Sequence, residues 1–126
     1  MKIKLLILAI LCSIYLAACT GNEQSTKNLQ PIEINEMISF SEQRPNTLQV
    51  LANQEDILSI TNSINSAKKL DGKVDMADPH YHLKVGKSNY YLWVNQDHTA
   101  TIMNVNDTNT IYRIYAAEKF ISTIQQ

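Results

Sequence analysis

His80 and His82 stand two residues apart, with Asp78 two residues before them. Residues at i and i+2 of a strand share a face, so both imidazoles would project together. A divalent transition metal can take nitrogen ligands from such a pair. Asp78 has the same parity but precedes Pro79, and His98 falls in a turn expected at the same end of the sheet. This gives a candidate metal set of Asp78, His80 and His82, with His98 as a further donor. The competing reading is ordinary polar surface, and no metal or other cofactor is assigned.

Further constellations lie nearby. Tyr81, Leu83 and Val85 alternate with His80, His82 and Lys84, and Tyr90, Leu92 and Val94 alternate with Tyr91, Trp93 and Asn95. The apolar faces match when Val85 opposes Tyr90, Leu83 opposes Leu92 and Tyr81 opposes Val94 across a turn at residues 86–89. His82 then opposes Trp93, Lys84 opposes Tyr91, and Met103 on the next strand lies beside Tyr91. Aromatic side chains with a polar handle are over-represented where proteins bind partners. His82, Lys84, Tyr91 and Trp93 are therefore a candidate partner surface. In the alternative, Tyr91 and Trp93 pack under the N-terminal hairpin.

Residues 104–109 (NVNDTN) alternate amide and carboxylate oxygens but lack the glycine and terminal Glu of an EF-hand loop, and turn chemistry accounts for them. No G-x-S-x-G elbow is present, and nothing sets Asp75 and Asp78 apart from acids flanking a strand. Beyond Gly21 only Gly72 and Gly86 remain, too few for a phosphate-cradling loop. The domain is expected to be non-catalytic. A ligand- or metal-binding protein using the Asp78, His80 and His82 region is the runner-up, and a small hydrolase the third reading.

These residues need a scaffold, and hydrophobic periodicity outlines one. Ile32, Ile34, Ile38 and Phe40 alternate with polar residues, a half-buried strand interrupted by Glu36. Residues 47–52 (TLQVLA) form a second strand. Asn53 is placed to cap a helix over 54–69, with Glu55 and Asp56 in its first turn. Ile57, Ile60, Thr61, Ile64 and Ala67 line one face of it. Lys68 and Lys69 occupy its last turn, and Asp71-Gly72 supplies the stop. After the hairpin come strands over 99–104, with Ile102 opposite Leu92, and 110–114. A closing helix over 116–125 buries Ala117, Phe120, Ile121 and Ile124 and lacks a good cap. The order ββ-α-βββ(β)-α specifies an α+β fold: an antiparallel sheet with two helices on one face, a two-layer sandwich.

The start of the chain is a separate unit. Lys2 and Lys4 precede an uncharged run from Leu5 to Ala18, shorter than the ~20 residues of a membrane span and ending in small residues. Leu16-Ala17-Ala18-Cys19 resembles the lipobox of bacterial lipoproteins. That resemblance implies diacylglycerol transfer to the Cys19 sulfur, cleavage after Ala18, and attachment to the extracytoplasmic face of the cell membrane. Residues 1–18 are then a signal peptide, 19–30 a lipidated Cys and polar tether, and 31–126 a single domain. Eleven tether residues reach at most about 36–40 Å. Cys12 would leave with the signal and Cys19 carry lipid, so the domain keeps no thiol for a disulfide, a thiolate site or a nucleophile.

Losing Lys2 and Lys4 lowers the bases from 11 to 9 against 12 acids, a net charge near −3. No basic cluster exists beyond Lys68-Lys69, which argues against nucleic acid as a partner. Attachment would rest on acyl chains, and partners are expected to be an envelope protein or a small ligand.

The runs AKKLDGKVDMADPHYHLKVG, YYLWV and TIMNVNDTNTIYRI resemble the YhfM-like domain of small bacterial lipoproteins, over roughly residues 50–126. The resemblance implies an envelope lipoprotein of uncharacterised role and carries over no catalytic residue. The chain departs from the family pattern at Tyr115-Ala116-Ala117, where a Ser-rich cap is expected.

Overall fold

The computed structural model describes residues 28–126. The expected signal peptide (residues 1–18), Cys19 and residues 20–27 of the expected tether lie outside them. Eight strands form one open antiparallel sheet: β1 (Ile32–Ser39), β2 (Glu42–Gln43), β3 (Gln49–Leu51), β4 (Lys68–Lys69), β5 (Tyr81–Val85), β6 (Ser88–Val94), β7 (Ala100–Asn104) and β8 (Tyr112–Ile114). Among the described residues two helices, α1 (Gln54–Asn65) and α2 (Glu118–Ile124), complete an α+β fold. The spatial order is β2-β1-β5-β6-β7-β8-β4, and β3 also pairs with β1.

The core lies between one sheet face and the helices. Ile32, Ile34, Leu83, Leu92, Ala100, Ile102 and Ile114 from the sheet meet Ile57 and Ile60 of α1 and Phe120 and Ile124 of α2. These side chains are nearly inaccessible, and each Ile or Leu stabilises the fold by roughly 1.5–3 kcal/mol relative to exposure. Asn53 caps α1 as its side-chain chemistry requires, its Oδ1 accepting from the N–H groups of Glu55 (3.0 Å) and Asp56 (3.1 Å). At α2 the capping position is Ala117 and no side chain caps it.

Leu29, assigned by composition to the tether, packs against this core. The Gln54 amide clamps its backbone, Oε1 accepting from the Leu29 N–H (2.8 Å) and Nε2 donating to its carbonyl (3.1 Å). The chain therefore enters the domain at the N-terminal end of α1, beside the β5–β6 turn.

Two local expectations are corrected. Helix α1 ends at Asn65, and Lys68 and Lys69, expected in its last turn, form β4 opposite Arg113 and Tyr112 of β8. The hairpin register differs by two residues from the expected one: Tyr81 opposes Leu92, His82 opposes Tyr91, Leu83 opposes Tyr90 and Lys84 opposes Asn89. The turn is Gly86-Lys87, with Gly86 at φ +60° and Lys87 at negative φ, the pattern of a two-residue type II′ turn. Ser88 and Asn89 belong to β6. The next pairing, Leu92 opposite Ile102 and Tyr91 opposite Met103, is as expected.

Candidate functional site

The sheet face away from the helices carries His82, Lys84, Tyr91 and Trp93. Half of it is covered. β4 and β5 are consecutive in sequence but lie at separate places in the sheet, so residues 70–80 must cross β8, β7 and β6 between them. They do so over this second face as a strap. Leu70 N–H donates to the Ile111 carbonyl (3.0 Å), and at the other end His80 N–H donates to the Leu92 carbonyl (3.0 Å). Midway, the Trp93 indole Nε1–H donates to the Ala77 carbonyl at 2.9 Å.

On this face Met37, Trp93, Thr101 and Met103 are buried, the last three on the strands that the strap crosses. Trp93 is only 4% exposed. It is removed from the candidate contact surface, because the strap and Phe40 lie over its ring. Phe40 reaches this face past an irregularity in the β1–β2 register between Met37 and Ser39. Its ring packs edge-on to Tyr91 (centroids 5.3 Å) and tilted against Trp93 (5.9 Å). Ile38, expected to share a buried face with Phe40, is instead exposed.

The other half of the face is open. Lys84 is exposed, while His82 and Tyr91 are half-buried side by side, their rings 6.3 Å apart. The Tyr91 hydroxyl donates to the Phe40 carbonyl (3.0 Å), which ties the phenol to the β1–β2 connection. Register places Asn35 beside His82 and Glu33 beside Lys84, with Val50 of β3 next to Glu33 at the margin. Burial holds the His82 imidazole below its ordinary value, partly opposed by the Glu33 carboxylate. His82 is thus a neutral ring near pH 7, able to donate one hydrogen bond, accept another and stack.

The metal set is not assembled. His80 precedes β5, and its Nδ1 accepts the Val94 N–H (2.9 Å), so that nitrogen serves the scaffold. An Asp78 carboxylate oxygen accepts the Phe40 N–H (3.3 Å), tying the strap to the β1–β2 turn. His98 sits in the β6–β7 turn at φ +61°. Among the described residues no three His, Cys, Asp or Glu side chains converge on a metal-sized site. In the 104–109 loop, Asn104 and Asp107 oxygens accept the N–H groups of Asn106 (2.8 Å) and Asn109 (3.2 Å), as turn chemistry requires.

A cleft on the helical side escapes the sequence reading. It opens between the C-terminal end of α1 and β6–β8, and is lined by Asn65, Tyr90, Ile102, Asn104, Asp107 and Tyr112 among others. Tyr90 and Tyr112 fall at core-facing strand positions, so periodicity marks them as packing residues. Only the early end of α1 at Asn65 exposes their sides.

An open antiparallel sheet with two helices on one face and a strap on the other is a small α+β sandwich, a class that by itself carries no activity. A family model described as "YhfM protein" matches residues 31–125, and the chain belongs to that family. No match was found among curated proteins or solved structures. Among the described residues no helix is long and apolar enough to cross a membrane.

Proposed function

We propose that the protein is a lipid-anchored component of the cell envelope, held through Cys19 at the extracytoplasmic face of the membrane. Its domain acts without catalysis, by binding an envelope protein across the open half of the second sheet face. The observation that carries this reading is the ladder of His82, Tyr91 and Phe40 beside Lys84, where the strap leaves the sheet uncovered. It offers rigid aromatic area with a few polar groups, the composition of binding hot spots. Anchoring is supported by the charged start, the apolar run and the LAAC sequence ending at Cys19.

Two experiments test the two parts. Cys19→Ser should move the chain from the membrane fraction to the soluble one; unchanged retention would overturn the anchor. A photo-crosslinking amino acid at position 84, in intact membranes, should give a discrete protein adduct. The same probe at Lys119, exposed on α2, should not. Equal or absent adducts at both positions would refute the proposed surface.

A further inference from the structure

The cleft beside α1 lies on the opposite side of the sheet from the proposed partner surface and owes nothing to the Cys19 reading. We infer that it binds a neutral, hydroxylated ring compound of monosaccharide size.

Its architecture is that of two aromatic walls on an apolar floor. Ile102 of β7 is the floor, 2% exposed. Tyr90 on β6 and Tyr112 on β8 flank it from the two neighbouring strands, Tyr112 directly opposite Ile102 and Tyr90 opposite Asn104. Strands two apart are separated by about 9.5–10 Å, and the two tyrosines are offset by two residues along them, so they stand diagonally across Ile102 with room between for one further ring. Both tyrosines pack against the core with part of their surface left open to the cleft. Their positions are therefore set before any ligand arrives, and little ordering entropy would be lost on binding.

The polar groups converge on the same space. The Tyr91 and Tyr81 hydroxyls have protein partners, whereas among the described residues those of Tyr90 and Tyr112 have none. Asn65 at the end of α1 and Asn104 at the end of β7 bring side-chain amides to the rim, and Asp107 brings a carboxylate. No lysine, arginine or histidine lines the cleft. An anionic ligand would meet Asp107 with nothing to neutralise it, so anions are disfavoured, whereas the hydroxyls of a neutral ring can donate to its carboxylate and to the amide oxygens. Amides and phenols around an apolar floor suit a ring with one C–H face and hydroxyls at its edge. The volume, about 290 Å³, is at the small end of ligand pockets, roughly 300–1,000 Å³. One saccharide unit fits, and a longer glycan would have to leave through the open side.

The test is a titration of the isotope-labelled full chain in detergent micelles with N-acetylglucosamine, read by NMR. Saturable shifts are expected at the Ile64 and Ile102 methyls and the Asn65 and Asn104 side-chain amides. Tyr112→Ala should weaken binding by about tenfold or more, with the Trp93 indole N–H resonance on the far face unmoved as a sign of intact fold. Should that variant fail to fold, Asn65→Arg at the exposed rim, which fills the mouth without touching the core, should abolish the shifts. Glucuronate, of similar size but anionic, should bind more weakly. The inference is overturned by no saturable shifts, by shifts that survive Asn65→Arg, or by glucuronate binding the tighter.

Discussion

Trp93 is the only tryptophan in the chain, so its environment can be perturbed and read without ambiguity. Trp93→Ala removes a side chain that is 4% exposed and leaves a void between the sheet and the strap. Large aromatic truncations of this kind cost about 3–5 kcal/mol. Trp93→Phe keeps most of the ring but deletes the 2.9 Å bond to the Ala77 carbonyl. One hydrogen bond contributes about 0.5–1.5 kcal/mol, and the lost ring area adds to it, for a total of about 1–3 kcal/mol. A domain of this size has about 5–15 kcal/mol in all, so the alanine variant should lose a large share of its stability. Urea denaturation followed by far-ultraviolet circular dichroism measures both losses. Wild-type fluorescence should show blue-shifted emission and poor quenching by acrylamide. A Trp93→Ala variant within about 0.5 kcal/mol of wild type, the range of ordinary surface changes, would refute the strap as a cover. So would emission typical of a solvated indole.

Burial depresses the His82 imidazole in the folded chain, so the unfolded chain takes up the proton first, near pH 6.5. Stability is full above that value and falls as pH drops through the folded one. Urea midpoints at about pH 7.5 and about pH 5.5 should therefore differ less in His82→Gln than in wild type; an equal difference would assign the effect elsewhere. Asn53→Ala, which deletes both capping bonds of α1, should cost about 1 kcal/mol by thermal denaturation, and a neutral result would contradict the cap. Ala116 holds φ +49° just before α2, where a Cβ is strained, so Ala116→Gly should raise stability by about 0.5–1 kcal/mol. Loss of stability there would show the strain to be absent.

Where periodicity and local chemistry act alone, the elements follow from the sequence. The Asn53 cap, the Ile57/Ile60 face and the strand alternation from Tyr81 onward are all short-range signals, and each is found where it is expected. The hairpin register failed for a specific reason. A shift of two residues keeps every side chain on its original face, so matching apolar faces cannot tell one register from the other. Only the turn decides, and Gly86 at positive φ closes it in two residues. For the candidate site, parity correctly put His82, Tyr91, Trp93 and Met103 on one face, but parity does not say what covers that face.

By itself the sequence determined the α+β class, the pair of amphipathic helices and the side of the sheet to which each strand residue belongs. These are properties of neighbouring residues, carried by hydrophobic period and by capping and turn chemistry. Tertiary structure decided which of those faces is open. β4 paired with β8 rather than prolonging α1, because an edge strand offers unpaired backbone groups that no local pattern announces. With β4 at that edge, residues 70–80 had to cross the second face to reach β5, and their crossing buried Trp93 while leaving His82, Lys84 and Tyr91 at the surface. The same early end of α1 opened the cleft beside Tyr90 and Tyr112. Both candidate sites thus depend on contacts between residues far apart in the chain, and such contacts leave no period in the sequence.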